Sequence, residues 1–385
     1  MSAILPAGPG LTAAACEVAR QVFVRGPVSR AEVARRTGLS APSVARLASG
    51  LISIGLVGEI SEGGGRVGRP VRPLAVQPDA GRFLGVQLTA QTASAVLTDL
   101  QARVADQAAR HIADRRPEAV ARLVADLARD FGLGPGPGRP ALQGIGVCLG
   151  GNASDGRTVT RAPYLGWRGV DLAGLVEARA GLPTVVGNDV VALTKAHHWF
   201  GLARGLSDFA VITTGVGVGY GLVTRDQAVD TPDTGLGLGG HIPLDDSGPA
   251  CPIGLPHRGC AVAMISTIGM LGQAQARLGR PVGYDELLTL AASGDEPAAT
   301  AIVAAAARAL GRLIAVTANL TMHPTIVLGG EGMGLWDIAE ETIRQTARQG
   351  RDPDASPLRI EVDSTRSLSW SRGAAAMAIQ HALTR

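Results

Sequence analysis

Residues 84–104, LGVQLTAQTASAVLTDLQARV, and residues 209–229, FAVITTGVGVGYGLVTRDQAV, follow one plan. Each is an apolar strand, a polar or glycine-bearing turn, a second strand and a charged tail. A supersecondary unit that recurs within one chain folds twice, so the repeat predicts two related α/β lobes facing a cleft. The chain has 385 residues, enough for two or three domains. It is 46% hydrophobic but only 3% aromatic, so its cores must be built from Ala, Val and Leu.

Between the two copies lies the stretch TVVGNDVVALTKAHHWFG, residues 184–201. The apolar run 184–186 suits a buried strand, and Gly187 is expected to break it. Asn188 and Asp189 then stand at the start of a helix. A carboxylate there, at the mouth of a cleft, serves as a general base; the alternative is that Asp189 only caps the helix. Gly215, Gly217, Gly219 and Gly221 follow the strand 209–214, a spacing that lets backbone N–H groups approach a phosphate, or else forms a glycine-rich hairpin with no ligand. His197 and His198 are adjacent on the helix and point different ways, so they read as structural. Further along, helices are expected over 258–276, 285–292, 296–322, 335–348 and 373–383, with a strand at 325–328.

The first 78 residues differ from the rest. They hold nine Arg and four Glu, a net charge of +5, whereas the whole chain carries +3, leaving −2 for residues 79–385. Concentrated positive charge points to a nucleic-acid partner for this unit alone. Thr12 caps a helix to about Arg25, and Ser29 with Glu32 forms a capping box for a helix 30–36. Gly38 suits the left-handed residue after it. Ser40 caps a longer helix, 41–54, with Val44, Leu47 and Leu51 inward and Ser43 and Arg46 outward. Helix, short turn and second helix form a DNA-reading unit in which Ser40, Ser43 and Arg46 face the major groove. A strand at 56–60, a basic Gly/Pro loop with Arg66 and Arg69, and a returning strand at 74–76 make a wing whose arginines suit a narrow minor groove. The head is therefore similar to winged helix-turn-helix regulators.

Cys16, Cys148, Cys251 and Cys260 have no framework spacing, which argues against a disulfide scaffold; Cys16 and Cys148 read as packing residues. The N-terminus MSAILPAGPG has no signal-peptide pattern, and no run of about 18 apolar residues is apparent, so the expectation is a cytoplasmic protein with no membrane partner.

Beyond the head, GNDVVALTKAHHWFG, VITTGVGVGYGLV, GGHIPLD, CPIGLPHRGC, HPTIVLGGEG and RGAAAMAIQHAL occur in an order and spacing that resemble the ROK family (repressors, open reading frames and sugar kinases). The resemblance implies a two-lobed actin-like fold of the sugar kinase/Hsp70 type, in homodimers or tetramers. The domains expected are 1–78, the winged head, and 79–385, with lobe 1 over about 79–187 plus the C-terminal helix and lobe 2 over about 188–372. Asp189 corresponds to the catalytic base on a sugar hydroxyl. Gly151, Asn188 and His241 lie beside the sugar, residues 214–219 form the second phosphate loop, and Gly329-Gly330 lies near the adenine.

The departures matter as much. Family kinases carry Asp-x-Gly-Gly-Thr where this chain reads Gln87-Leu88-Thr89-Ala90-Gln91. Loss of the acid that organises Mg²⁺ and of both glycines is expected to prevent ATP use. Two acidic sugar contacts are replaced by Leu238 and Val262, and the family's Ala-Pro-Asn-Leu reads Ala162-Pro163-Tyr164-Leu165. His241, Cys251 and Cys260 suit tetrahedral zinc, with His257 standing in for a missing cysteine where Ile253 now lies. The expected protein is a DNA-binding regulator, most simply a repressor, of carbohydrate genes. It has a sugar or sugar-phosphate sensor in place of a kinase, binds structural zinc and uses no ATP; the alternative is an active sugar kinase with a DNA-binding head.

Overall fold

The structure, a computed structural model, describes residues 11–60, 72–136, 140–153, 155–365 and 367–384. It divides into two compact units, 1–205 with 370–385, and 206–369.

The first unit opens with the head: α1 (Ala13–Arg25), α2 (Arg30–Thr37), α3 (Ala41–Ser53), β1 (Val57–Glu59) and β2 (Leu74–Val76). The Thr12, Ser29 and Ser40 hydroxyls accept from the backbone N–H groups of Ala15, Glu32 and Ser43, so each helix starts where a short oxygen side chain meets an orphan donor. Gly38, at φ 70°, ends α2. β1 and β2 pair antiparallel, Val57 opposite Val76. The wing loop, with Arg66 and Arg69, lies outside the described residues.

An α/β layer follows: β3 (Arg82–Leu88), β4 (Thr92–Thr98), β5 (Val104–His111), α4 (Pro117–Asp130), β6 (Leu142–Leu149), β7 (Thr158–Ala162), β8 (Trp167–Asp171), α5 (Leu172–Ala180), β9 (Thr184–Asn188) and α6 (Asp189–Phe200). Its sheet runs β5-β4-β3-β6-β9, and β7 pairs with β8 apart from it. Gly187 does not break its strand, as expected from sequence, but continues β9 opposite Cys148. A Cβ there would stand 2.7 Å from the Met377 sulfur, so the glycine serves close helix packing rather than a turn.

The second unit contains β10 (Phe209–Thr214), β11 (Val218–Thr224), β12 (Gln227–Ala228), α7 (Ala261–Ile265), α8 (Thr267–Leu278), α9 (Tyr284–Ser293), α10 (Pro297–Thr321), β13 (Thr325–Gly329), α11 (Gly334–Gln349) and β14 (Arg359–Val362). Its sheet runs β12-β11-β10-β13-β14. In both sheets an antiparallel hairpin is followed by two parallel strands, so the repeat in the sequence is a repeat in topology. The single helix expected over 258–276 is two, because Ser266 leaves helical geometry and caps α8 through the Gly269 N–H. α10 is long and apolar enough to cross a membrane by length and composition, which corrects the expectation that no such segment exists. Its Ala306, Ala307, Leu310, Ile314 and Ala318 are nevertheless fully buried in this unit's own core.

The chain returns to the first unit through α12 (Ser367–Thr384). One hydrophobic core there joins Val18, Val22 and Phe23 of α1, Val44 and Leu51 of α3, Phe83 of β3, Trp199 of α6, and Ile379 and Leu383 of α12. The head and the first sheet's helices thus share a core rather than touching at a polar surface.

Candidate functional site

In the head, Ser40 and Arg46 are exposed on α3 and Ser43 is partly so, while Val44, Ala48 and Leu51 face inward. Ser40 and Ser43 are joined by a hydroxyl–hydroxyl bond of 2.9 Å. Small neighbours, Ala41, Pro42, Ala45 and Ser49, are also exposed, so α3 presents a narrow ridge from which Arg46 projects. Only half of the expected capping box forms as written: Ser29 caps α2, whereas the Glu32 carboxylate takes Arg35 and Arg36 at 2.5 Å each. Those two arginines hold its carboxyl down to about 2. Arg30 and Arg72 both reach Glu59, at 2.5 and 3.5 Å, tying α2 to the ribbon.

The C-terminal end of α1 meets the end of α6. Phe23, Trp199 and Phe200 form an aromatic triangle with centroids 5.8–6.3 Å apart. Arg204 donates to the carbonyls of Phe23, Val24 and Gly26 at 3.0, 3.1 and 2.6 Å, satisfying the orphan acceptors that end α1. Arg25 donates to the Gly205 carbonyl. From α12, Arg372 donates to the Phe200 and Ala102 carbonyls at 2.9 Å.

At its other end α6 carries Asn188 and Asp189. Asn188, rather than Asp189, is the cap: its Oδ1 accepts from the Val190 and Val191 N–H groups at 2.9 and 3.1 Å. Its Nδ2 donates to the Gly151 carbonyl at 2.9 Å, and the residue is buried. The amide is thus committed to backbone partners and positions the turn. Gly151 is required where it is, since a Cβ would stand 2.3 Å from the Arg161 carbonyl of β7. Asp189 is partly exposed, with Oδ1 accepting from the Val190 N–H. Beneath it Cys148 is fully buried; burial first, and the Asp189 charge second, push its thiol well up, so it is an inert packing group. Gly151, Asn188 and Asp189 come together as the sequence implied, whereas His241 belongs to the second unit.

Both hairpin turns are closed by a backbone hydrogen bond, in the first from the Thr89 N–H to the Thr92 carbonyl at 2.9 Å, and they differ in the side chain added. At Thr89–Gln91 the Thr89 hydroxyl accepts from the Gln91 and Thr92 N–H groups at 3.3 and 3.0 Å. In the second unit the Gly215 N–H donates to the Gly217 carbonyl at 3.0 Å. The Glu331 Oε2 sits 2.6 Å from where a Gly215 Cβ would be. Glu331 was not singled out from the sequence; GGEG after β13 placed a carboxylate among glycines, which was the available signal.

His241, Cys251, His257 and Cys260 gather at one point of the second unit, their ligand atoms all within 4.8 Å of one another. Bridges Pro243–Cys260 and Ala250–Arg258 fold the loop back on itself. The Cys251 N–H donates to the His257 carbonyl at 3.1 Å, and Gly259, at φ 59°, lets the Asp245 carbonyl pass where a Cβ would clash. Cys251 Sγ and His241 Nδ1 are 3.8 Å apart, near the edge of about 3.6 Å expected between a sulfur and a nitrogen on one tetrahedral ion. The His257 Nε2 is buried with no hydrogen-bond partner, as a waiting ligand atom would be. Two thiols, two imidazoles and this spacing could hold a metal ion, with His257 the fourth residue of the cluster.

Comparisons with known proteins give the family. The pattern of the IclR helix-turn-helix domain matches residues 25–59. The chain is 26% identical over 277 residues to the xylose repressor of Bacillus spizizenii (strain ATCC 23059 / NRRL B-14472 / W23), covering 72% of this chain and 71% of that protein. It is 26% identical over 379 residues to the DNA-binding transcriptional repressor Mlc of Escherichia coli (strain K12), covering 95% and 92%. A solved ROK family transcriptional regulator, a homologue of the E. coli Mlc protein, superposes with a TM-score of 0.78 at 24% identity, over 96% of this chain and 95% of that one, which shows the shared fold. The ROK family pattern itself matches residues 84–381, and the chain belongs to that family as a member with a helix-turn-helix head.

Proposed function

We propose that this protein is a sequence-specific DNA-binding regulator of carbohydrate genes, most simply a repressor. In this reading a sugar bound at Asp189 alters DNA affinity, and no phosphoryl transfer takes place. The observation that carries the proposal is the course of α6. It begins at Asn188-Asp189 and ends twelve residues later in the aromatic triangle with Phe23 of the head. A shift of the Asp189 turn is therefore a shift of the helix that seats the DNA-binding unit. A sugar changes the head's placement only if it binds one arrangement better than another. Coupling of about 1–3 kcal/mol is typical and must be reciprocal.

Asp189 supplies acceptors for sugar hydroxyls, and charge-assisted bonds are the strong kind. Asn188 and Gly151 hold the turn. The reading as a non-enzyme rests on Gln87, which stands where family kinases carry the acid, and is supported by the two turns, whose N–H groups are taken by the Thr89 hydroxyl in the first and the Gly217 carbonyl in the second. The ion at His241, Cys251, His257 and Cys260 is zinc in this reading, closed by four ligands and structural. A two-fold assembly on a palindromic operator, in the cytoplasm, completes it.

The test is operator binding with and without sugars, in wild type and Asp189→Ala. The expected result is a sugar-dependent change in wild type, no change in Asp189→Ala, and equal ligand-free affinity. A variant that responds like wild type, or ATP-dependent sugar phosphorylation lost in Asp189→Asn, overturns the proposal.

A further inference from the structure

Resting on Asp189 as the sugar site, a second group bears on which sugar is taken. Tyr164 is the largest exposed aromatic side chain of the first unit, 60% exposed. It sits in the turn between β7 and β8, which two backbone bonds close. The Leu165 and Gly166 N–H groups donate back to the Ala162 and Pro163 carbonyls, at 3.2 Å each. Ala162, Leu165 and Trp167 around it are buried, and the Trp167 indole N–H donates to the Arg115 carbonyl at 2.6 Å. A large apolar ring held out to solvent on that turn has no role in the core, and rigid exposed aromatics bind at little entropic cost.

Gly150 shows what the ring faces. A single carbon placed where its Cβ would be stands 3.6 Å from the Asp189 Oδ2 and 3.6 and 3.7 Å from two adjacent ring carbons of Tyr164. That point is one bond length from the Gly150 Cα, so no ligand atom occupies it; it shows that the carboxylate and the ring border the same stretch of backbone, and a sugar lying over Gly150 meets the carboxylate through its hydroxyls and the ring through its C–H bonds. The missing side chain at Gly150 leaves the room. An aromatic face is negative and attracts the weakly positive C–H face of a pyranose, whereas a phosphate there would meet the Asp189 charge.

We infer that Tyr164 is a specificity-determining residue, a stacking platform that makes the Asp189 site select a neutral pyranose over the corresponding sugar phosphate.

The experiment is calorimetry on the full chain with a panel of neutral aldohexoses and aldopentoses and their terminal phosphates. Wild type is expected to bind a neutral sugar more tightly than its phosphate. Tyr164→Ala should weaken that binding about tenfold, the scale of one aromatic stacking contact. Tyr164→Phe should stay within about twofold, because the ring and not the hydroxyl is used. Exposure of Tyr164 means both variants fold, which circular dichroism checks. Unchanged affinity in Tyr164→Ala, or tighter binding of the phosphate, overturns this inference and leaves the sensor reading intact. Absence of any carbohydrate binding in wild type overturns the sensor reading and this inference with it.

Discussion

The two five-stranded sheets have the same order and the same mix of pairings, yet they are put to different uses. The first shares its helices with the head: α6 and α12 enter one core with α1 and α3. The second encloses α10 in a core of its own and carries the His/Cys loop instead. Duplication supplies a pair of equivalent frames, and what is attached to each one decides its role. The same contrast recurs in miniature at the hairpins: a backbone bond closes each turn, but the first adds the Thr89 hydroxyl and the second lies beside the Glu331 carboxylate.

The largest effect should come from the metal, because it touches only the second unit. Elemental analysis should find about one zinc per chain, from one four-ligand site. Cys260→Ser should remove it and lower the melting temperature of that unit, since ligation energy is folding energy. Metal-free wild type with an unchanged melting curve would erase the contrast between the units. Next in size is the shared core. Phe23→Ala should cost about 3–5 kcal/mol and weaken DNA binding, as the head loses its seat. Leu310→Ala, buried in α10, should cost about 2–5 kcal/mol and leave the operator affinity of the folded fraction unchanged. Equal loss of operator affinity in both variants would show that the head depends on the two units alike.

The repeat, the head's helices and the glycine-rich hairpin were legible because each depends on local pattern: caps, periodicity and turns. Ser40 and Gly38 do what short-range chemistry says, whereas the cap of α6 falls on Asn188 and not on Asp189. Elements with weak local signal were not legible. β7 and β8 carry exposed Arg161 and Arg168 on a lone ribbon, α5 has only short, faint periodicity, and β14 is a four-residue edge strand. Gly187 was misread because a glycine required by a neighbour 190 positions on, Met377, looks locally like a breaker. The shared core is long-range in the same way, although scarce aromatics gave a hint: Phe23, Trp199 and Phe200 are a large share of the chain's five Phe and four Trp. The four residues His241, Cys251, His257 and Cys260 were legible as ligand types, and the fold gathers them at one point.

A smaller effect sharpens the role of the head. Arg46→Ala should reduce discrimination between operator and unrelated DNA by about 1–3 kcal/mol if the side chain reads a base. Competition binding at fixed salt measures it, and unchanged discrimination would move base reading away from the exposed ridge of α3. The double variant Arg66→Ala, Arg69→Ala tests the wing by the same assay and should weaken binding at A·T-rich flanks.

The smallest effect bears on the hairpins themselves. The Thr89 hydroxyl accepts two N–H groups in an exposed turn, and in Thr89→Ala water can take its place. The loss should therefore be about 0.5–1 kcal/mol, seen as a lower denaturant midpoint with an unchanged slope. The variant also frees the N–H groups of the first turn, while Gln87 still stands where family kinases carry the acid, so ATP turnover should remain at background. The second turn offers no equivalent variant, because a backbone carbonyl holds the Gly215 N–H and removing the Glu331 side chain leaves that bond in place. If Thr89→Ala alone gained ATP-dependent sugar phosphorylation, the first hairpin would be a masked phosphate loop, and the chain a kinase restrained by a single side chain.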